Sequence, residues 1–581
     1  MTSLAADLSR AVEDAFAAEG LDRRFGKVQI SDRPDLAQFQ CNGALAAAKE
    51  AKANPRAIAE KIAARLKSDA QFAKVEIAGP GFINLDLTDA ALDARIAALD
   101  IPSKTNGKTL LLDFGGINVA KPMHVGHLRS SVIGDCLQRL FRANGWHVVS
   151  DIHLGDWGLQ MGQLISEIGI RGIAPIYFDA SFKGPYPEQS PVTMEDLEEI
   201  YPAASAACKA DPARLDAARR ATVELQDGRP GYRVLWRHFV LVSEVGAKRE
   251  FDALDVHFDL WKGEASVHDR IAPMIADFKA RGLAKMDEGA LVIEVEQGGD
   301  KKPMPPLLLV KSDGGLLYGT TDMATIIERV EEQNPDLVLY VVDHRQHGHF
   351  EQVFRAAAKT GIAGKAHLEH VGYGTMNGAD GKPFKTRAGG VMKLYDLIAM
   401  AEVEAKSRLA EQGLGDDYSP EERETIAKQI AIATIKFADL SNHRTTDYIF
   451  DLERFSKFEG KTGPYLQYAA VRIKSILRKA REEGHEAAIP AIHSPEERDL
   501  VLQLLSLDDV LQAAEEKRAP NILCDYAFTL AQNFSRFYAA HHIMSETDTG
   551  LRGQRLGLCA RVLEVMTRTL GLLGIAVPER M

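Results

Sequence analysis

The chain has 581 residues, which at about 100–200 residues per domain suggests three to five domains. Its 82 Asp and Glu outnumber its 70 Lys and Arg, and the net charge of −12 argues against a generally polycationic nucleic-acid binder. Five cysteines without a C-x-x-C pair exclude the usual zinc spacing and are typical of a reducing compartment. With no long apolar run and no signal peptide, we expect a cytoplasmic protein that does not contact membranes.

The first hundred residues predict a small α+β domain, 1–100. Apolar residues recur every four positions over 1–20, which predicts an amphipathic helix, and Pro55 opens a second one. Residues 73–87 alternate around a Gly-Pro-Gly turn and predict a hairpin. The polar residues 101–108 follow as a linker.

Residues 105–400 alternate between short apolar runs and helical patterns. The runs 110–114 and 146–152 flank a helix that begins near His127, which predicts a βαβ unit with parallel strands. Further strand-like runs are 307–311, 337–342 and 367–373. The sequence therefore predicts an α/β fold with a doubly wound, Rossmann-like parallel sheet, which binds ligands at the carboxyl ends of its strands. Polar, proline-containing residues, about 172–235, predict an insertion into it.

From residue 401 to 581 helical periodicity dominates, and we find no convincing strand. This predicts an all-α helical bundle as a C-terminal domain. The clearest helical stretches are 426–437, 466–477, 500–511 and 562–573.

The string NVAKPMHVGH, residues 118–127, lies between the first strand and its helix. A helix N-terminus offers free N–H groups and the positive end of a dipole, which suits phosphates. Gly126 allows close approach of the backbone, while His124 and His127 can donate hydrogen bonds and Lys121 adds charge. The alternative is a pair of capping or surface histidines, which the position after the first strand of a βαβ unit disfavours.

HVGH resembles the HIGH motif of class I aminoacyl-tRNA synthetases, and NVAKPMHVGHLRS is similar to arginyl-tRNA synthetases of the bacterial type in particular. The resemblance extends over the whole chain and includes DLSNHRTTDYIFD at 439–451. It implies that the histidines stabilise ATP phosphates while the carboxylate of the amino acid attacks the α-phosphorus. Preorganised donors are what such a reaction requires.

The same family has a second, lysine-containing loop, and GKPFKTRAGG at 381–390 is its counterpart here. The loop departs from the usual KMSKS string, and its register is ambiguous. Lys382, Lys385 and Arg387 are its candidate ATP-binding residues, with the choice between Lys385 and Arg387 left open. In arginyl enzymes the lysine before HIGH is thought to compensate for this degenerate loop, and Lys121 matches that lysine.

Two further strings resemble the arginine pocket of the family. Tyr318 and Asp322 stand four residues apart, and Gln346 follows another predicted strand. A carboxylate supported by neutral acceptors suits a guanidinium, so the resemblance implies Asp322 and Gln346 on that group with Tyr318 alongside. The alternative is a helix cap with a core tyrosine. Asp113 and Asn118 match positions expected near the amino and carboxylate groups of the substrate.

The loop DIHLGDWG at 151–158 follows the second strand, and relatives carry a similar loop at the rim of the active site. His153 and Asp156 are therefore possible neighbours of the ATP ribose or adenine. A structural turn built on the two glycines is an equal alternative.

In the helical domain, aromatic residues accompany a basic helix, an arrangement that can stack unpaired bases and hold phosphates. The segment resembles the anticodon-binding domain of arginyl enzymes. That implies Tyr465 and Tyr468 near the anticodon loop, together with Tyr538 and Met581. The resemblance also implies that the N-terminal domain, 1–100, contacts the tRNA elbow. The alternative is that the tyrosines pack in the core of the bundle.

The resemblance implies an enzyme that converts arginine and ATP into arginyl-adenylate and pyrophosphate. It then transfers arginine to the 3′-terminal adenosine of its tRNA, through the 2′-hydroxyl as is usual for class I, with tRNA required for activation. ATP would enter as a substrate with Mg²⁺, and we expect no tightly bound cofactor, no metal site of the protein's own and a monomer. The alternatives are another class I ligase, a small-molecule nucleotidyltransferase or a non-catalytic tRNA-binding relative.

Although the net charge of the chain is negative, one segment has a local excess of positive charge. Residues 436–481 hold ten Lys and Arg against five Asp and Glu. The chain can therefore hold tRNA through a local basic strip, while acidic surface elsewhere suppresses non-specific phosphate binding.

Overall fold

The computed structural model describes residues 3–31, 33, 35–99, 105–312, 314–382, 384, 391–414 and 418–581. The chain divides into two compact units. One combines residues 1–104 with 457–581, and the other consists of residues 105–456. No helix in the described ranges is long and apolar enough to cross a membrane.

The N-terminal segment of the first unit is the predicted α+β structure. Ser3 caps the first helix by accepting the amide of Ala6, and the apolar face of that helix is buried. Its four antiparallel strands lie in the order β1-β2-β4-β3, and β3 and β4 form the predicted hairpin. The elements are α1 (Leu4–Ala18), β1 (Val28–Ile30), β2 (Phe39–Cys41), α2 (Gly43–Ala51), α3 (Pro55–Leu66), β3 (Phe72–Ala78), β4 (Phe82–Leu87) and α4 (Asp89–Ala97).

The second unit contains the predicted parallel sheet, and the doubly wound fold is confirmed. Five parallel strands lie in the order β12-β11-β5-β6-β7, with the buried strand β5 at the centre. Helix α5 begins at Val125, two residues before the predicted start. The strands of this sheet are β5 (Thr109–Asp113), β6 (His147–Leu154), β7 (Leu260–Gly263), β11 (Leu337–Tyr340) and β12 (His367–His370).

The run 307–311 was expected in the parallel sheet, and that prediction is wrong. It forms β10 of a separate antiparallel sheet with the order β10-β9-β8. A turn with positive φ at Glu288 and Gly289 joins β8 to β9, and this turn selects antiparallel pairing. An apolar run alone does not identify its partner strand. These strands are β8 (Lys285–Asp287), β9 (Ala290–Ile293) and β10 (Leu307–Val310).

Helices surround these sheets and fill the region predicted as an insertion. Residues 172–235 carry α7, α8 and the start of α9, which share an apolar core around Leu164, Leu197 and Leu235. The helices of this unit that precede residue 448 are α5 (Val125–Ala143), α6 (Leu159–Ile170), α7 (Met194–Ala210), α8 (Pro212–Gln226), α9 (Pro230–Ala253), α10 (His268–Ala280), α11 (Tyr318–Gln333), α12 (His347–Thr360), α13 (Leu394–Glu411) and α14 (Pro420–Leu440).

The second unit extends beyond residue 400, where the helical domain was predicted to begin. Buried ion pairs fix α14 to α5: Arg129 Nε lies 3.0 Å from Asp439 Oδ2, and Lys436 Nζ lies 3.1 Å from Asp135 Oδ2. Helical periodicity predicts a helix but does not show which core it joins. A strand also occurs after residue 400, contrary to the prediction, since β14 (Tyr448–Ile449) pairs with β13 (Met376–Asn377) ahead of the short α15 (Leu452–Phe455).

The C-terminal segment of the first unit is helical, as predicted. The stretch 500–511 is not one helix, because Ser506 ends one helix and starts the next. The segment packs against the N-terminal segment, and the amide of Ile492 donates to Asp93 Oδ1 at 2.9 Å. Its helices are α16 (Gly463–Glu482), α17 (Pro495–Leu505), α18 (Leu507–Lys517), α19 (Asn521–Ala540) and α20 (Thr549–Leu572).

Candidate functional site

The HxGH turn, residues 124–127, forms the N-terminus of α5 with a reciprocal cap. His124 Nδ1 accepts the amide of Gly126 at 3.0 Å, and His127 Nδ1 accepts the amide of His124 at 3.1 Å. A neutral imidazole that accepts at Nδ1 carries its proton on Nε2. The two rings, with centroids 4.0 Å apart, therefore each present an Nε2–H donor. The histidines cap the helix and remain able to donate, so the two readings of the motif do not exclude each other.

Both histidines are held neutral. Burial lowers the pKa of His127 to about 3, aided by the neighbouring His124 and Lys121. Burial and the charge of Lys121 also lower the pKa of His124. At neutral pH the turn therefore offers two uncharged donors beside one ammonium group, an arrangement suited to oxygen atoms of a phosphate.

Packing against His124 leaves no room for a side chain at Gly126. A Cβ atom at this position would lie 2.7 Å from Cε1 of His124. Any side chain would displace the ring of His124, so the glycine protects the geometry of the donor as well as leaving the backbone accessible.

The chain that follows the second basic loop pairs with the HxGH turn. The amide of Val125 donates to the carbonyl of Met392 at 3.0 Å, and the amide of Leu394 donates to the carbonyl of Met123 at 3.1 Å. Lys382 is exposed in a turn, and its backbone carbonyl accepts the amide of Gly378 at 2.8 Å. The structure thus brings the chain just after the second loop to the first motif. The candidates Lys385 and Arg387 lie outside the described residues.

The predicted arginine pocket lies at the start of α11. Tyr318 is the first residue of the helix and is 75% exposed, so the alternative of a core tyrosine is wrong. One turn later, Asp322 Oδ2 lies 2.6 Å from Nε2 of His349, and this contact raises the pKa of His349. Gln346 is exposed and immediately precedes α12, three residues before His349. The helix α12 thereby brings Gln346 towards Asp322.

A further acidic residue, Glu264, lies near enough to Asp322 for the two charges to interact, and it was missed in the sequence. It follows strand β7 directly. Burial is the main cause that raises its pKa to about 7, and the charges of Asp156 and Asp322 raise it further. The signal was a carboxylate after a strand, but β7 has only four residues and its strand pattern is too short to recognise.

Asp156 supports the turn that carries Glu264. It is buried, its Oδ1 accepts the amide of Ala265 at 3.0 Å, and burial raises its pKa to about 7. This contact favours the structural alternative for Asp156 over contact with ATP. His153 lies at the end of β6, and its ring nitrogens are buried without a hydrogen-bond partner among the described residues.

Asp113 and Asn118 have structural contacts at the carboxyl end of β5. The buried Arg329 donates to Asp113 at 2.6 Å and to Asp151 at 2.8 Å, which compensates the charge of Asp113. Asn118 forms a parallel bridge with Gly155, which joins the loops after β5 and β6. These contacts place both residues at the sheet edge where the HxGH turn begins.

In the first unit, two of the predicted tyrosines lie on helix α16 and the third, Tyr538, lies beside it on α19. Tyr468 is 39% exposed and Tyr465 is half-buried with an edge contact to Phe528. The guanidinium of Arg472 lies 4.4 Å from the ring centre of the half-buried Tyr538. Full burial of the tyrosines in the bundle core is therefore wrong for these three residues. The terminal Met581 is half-buried.

Within the described part of the chain, no three His, Cys, Asp or Glu side chains come together as a possible metal site. The donors at the HxGH turn are imidazole N–H groups and an ammonium, which bind phosphate oxygens and are not ligands for Mg²⁺.

Three family models match the chain in sequence order. The model "tRNA synthetases class I (R), catalytic domain" matches residues 94–452, and "DALR anticodon binding domain" matches residues 466–581. The model "Arginyl tRNA synthetase N terminal domain" matches residues 2–87. The two larger matches meet between 452 and 466, close to the boundary between the compact units.

Curated relatives match over the full length. The arginine–tRNA ligase of Hyphomonas neptunium is 54% identical and that of Maricaulis maris is 53% identical, each with 100% of both chains covered. Among solved structures, Thermus thermophilus arginyl-tRNA synthetase superposes with a TM-score of 0.80 at 23% identity and covers 100% of both chains. The arginyl-tRNA synthetase of Plasmodium falciparum gives 0.81 at 24% identity, with 100% of this chain and 98% of that chain covered.

Proposed function

The chain belongs to the arginyl-tRNA synthetase family of class I aminoacyl-tRNA synthetases, and from this premise we propose which residues carry its reaction as an arginine–tRNA ligase. The carboxylate of arginine attacks the α-phosphorus of ATP, pyrophosphate leaves, and arginyl-adenylate forms. A hydroxyl of the terminal adenosine of tRNA then attacks the arginyl carbonyl and releases AMP. Membership along the whole chain disfavours the alternatives of a small-molecule nucleotidyltransferase or a non-catalytic relative.

In the first step His124 and His127 donate through Nε2–H to phosphate oxygens, on which negative charge develops as pyrophosphate leaves. The observation that carries this role is the acceptance at Nδ1 of both rings, which fixes the donors before ATP arrives. Lys121 adds the positive charge that the degenerate second loop lacks. Lys382 together with Lys385 or Arg387 contributes from that loop.

Mg²⁺ would be held mainly by the phosphates of ATP, since the donor set of the turn suits phosphate and not the metal. Bound there, it would supply positive charge that neutralises the phosphates. The residues of the chain bind and orient those phosphates.

Recognition of arginine rests on the acidic pocket. Asp322 and Glu264 supply carboxylates for the guanidinium, Tyr318 forms the exposed wall, and Gln346 adds an amide acceptor. Asp113 and Asn118 lie at the sheet edge, on the side of the amino and carboxylate groups of the substrate. His153 and Asp156 border the same edge, with Asp156 acting through the turn of Glu264.

Replacement of Asp322 tests this pocket. We expect Asp322→Ala to raise the KM for arginine by about 30-fold or more, because the change removes a charged partner of the guanidinium. The KM for ATP should stay within about twofold. The measurement is tRNA charging at varied arginine and ATP. Glu331→Gln, at the far end of the same helix, serves as the matched control, and an unchanged KM for arginine in Asp322→Ala would refute the assignment.

Activation of arginine requires tRNA in this proposal. The wide exposure of Tyr318 supports it, because a pocket open to water gains little from its carboxylates until another molecule covers it. ATP–pyrophosphate exchange should therefore depend on added tRNA. Exchange that is equally fast without tRNA would contradict this.

The first unit carries tRNA binding in our proposal, with Tyr465, Tyr468, Tyr538 and Met581 close to the anticodon loop. The exposure of Tyr468 and the basic surface of α16 support this placement. That the enzyme is a cytoplasmic monomer stays a prediction. Sedimentation of the purified chain in an analytical ultracentrifuge checks its assembly state.

A further inference from the structure

Lys121 has an aromatic partner that comes from the helical insertion. Its ammonium nitrogen lies 4.9 Å from the ring centre of Tyr201. Tyr201 is half-buried on α7, within the region 172–235 that the sequence predicts only as an interruption of the sheet. A cation at this distance over a tyrosine is attracted by the ring.

Two lysines flank the HxGH turn, and their environments differ. Lys393, which bridges to His124, donates to Glu198 at 2.6 Å, and this contact raises its pKa. Lys121 has no carboxylate within 4.0 Å among the residues described by the structure. Its charge instead lowers the pKa values of His124 and His127. The positive charge of Lys121 therefore stays available for an incoming phosphate, whereas that of Lys393 is compensated.

Glu198 and Tyr201 are one turn apart on the same helix. Through them, α7 contacts the lysine on each side of the HxGH turn. One face of α7 thus borders the HxGH turn.

We propose that Tyr201 is a positioning residue for Lys121: its ring holds the ammonium beside the HxGH turn, ready for the phosphates of ATP. This rests on the role of Lys121 proposed above. It gives the helical insertion a part in adenylate formation, because α7 supplies the ring.

The choice of a ring over a carboxylate has a physical reason. A carboxylate would compensate the positive charge and compete with the phosphates of ATP for the ammonium. A ring attracts the cation more weakly and leaves its charge intact, so phosphate oxygens can take over the ammonium hydrogens. The ring therefore reduces the motion of the lysine before ATP binds and does not weaken its attraction for ATP.

The experiment compares Tyr201→Leu with Tyr201→Phe in the presence of tRNA, by ATP–pyrophosphate exchange. Tyr201→Leu removes the ring and should lower kcat/KM for ATP about 3- to 10-fold, the range expected for a partly exposed cation–ring contact. The KM for arginine should change less than twofold. Tyr201→Phe keeps the ring and should match the parent. Equal losses in both variants would overturn the proposal, since the hydroxyl would then be responsible.

A double-mutant cycle separates positioning from simple packing. In a Lys121→Met background, Tyr201→Leu should have no further effect on exchange, because the group it positions is gone. If the exchange rate of the double variant falls by the product of the two single losses, positioning is refuted, whatever the change in melting temperature. Tyr395→Leu removes the ring beside Arg249, a more exposed cation–ring pair, and is the control for the loss of such a ring.

The same variants distinguish failure of this proposal from failure of the proposed function. If Lys121→Met itself leaves exchange unchanged, the role assigned to Lys121 is wrong, and positioning falls with it. If Lys121→Met is strongly impaired and Tyr201→Leu is not, only the role of Tyr201 is wrong.

Discussion

Two carboxyl groups near the proposed arginine pocket, the half-buried Glu264 and the buried Asp156, have pKa values of about 7. Burial is the largest cause for both Glu264 and Asp156, and for Glu264 the neighbouring charges of Asp156 and Asp322 add to it. A guanidinium favours the ionised forms and must displace any protons held there. We therefore expect arginine binding to be linked to pH in the neutral range, although arginine itself does not titrate there.

The direction of the pH effect follows from the sign of these shifts. Above pH 7 Glu264 is ionised and attracts the guanidinium, and below pH 7 it becomes protonated and loses that attraction. We expect the dissociation constant for arginine to rise about tenfold as pH falls from 8 to 6, measured by calorimetry. Glu264→Gln should remove most of this dependence and Glu331→Gln should keep it. A flat profile in the parent enzyme would contradict the prediction.

Among the elements, the N-terminus of α5 combines two tasks in one side chain. His124 Nδ1 caps the helix, whereas Nε2 is left free of this cap and, in our proposal, donates to ATP. These tasks can be separated, because an asparagine oxygen caps a helix as Nδ1 does and offers no equivalent of Nε2–H at the same place.

His124→Asn should therefore keep the melting temperature close to that of the parent while kcat for exchange falls about 100- to 1,000-fold, as for the loss of one preorganised donor. His124→Ala loses the cap as well and should also cost about 1 kcal/mol of stability. Thermal unfolding and exchange rates measure the two effects. A fall in stability for the asparagine variant as large as that for alanine would show that the cap is not preserved.

The sequence predicted elements more reliably than it predicted their partners. Helix α5, strands β5 and β6 and the hairpin of β3 and β4 follow from local periodicity and turn residues. The antiparallel pairing of β10 and the packing of α14 on α5 depend on contacts far along the chain. Periodicity carries no information about such contacts.

The candidate site was predictable where a motif carried it. His124 and His127 lie in a string with a recognisable physical purpose. Glu264 and Tyr201 do not, because one follows a four-residue strand and the other lies on a helix of an insertion. Their proximity to the pocket arises only from the fold, so spacing along the chain could not reveal it.

At the scale of the whole molecule, the positive strip counted over 436–481 divides between the two units. Its first part includes Lys436 and Asp439, which are buried in ion pairs and face no partner molecule. The part from 457 to 481 belongs to the first unit and holds seven Lys and Arg against one Glu. The basic surface is thus more concentrated than the sequence count indicated, and α16 carries most of it.

Arg472→Gln should lower tRNA affinity and reduce the slope of log affinity against log salt by about 1, as for the loss of one phosphate contact. Lys474 already donates to the carbonyl of Pro578 at 3.0 Å and to Glu579 at 2.9 Å, so neutralising it should have a smaller effect. Filter binding at several salt concentrations measures both. Lys279→Gln, an exposed change in the second unit, is the control, and an Arg472 variant with the parental slope would count against the tRNA-facing role of α16.

The first unit is built from two pieces that lie far apart in the sequence, with α4 packed against α17 and Ser3 hydrogen-bonded to Asp509. During synthesis, the N-terminal piece emerges long before its partner helices exist. At about 5–20 residues per second, the ribosome needs roughly 20–70 s to make the intervening second unit. For that time α4 lacks the helix α17 against which it packs. Completion of the first unit therefore waits for the last helices, so a ribosome that stops early releases a chain whose second unit is whole but whose first unit is not.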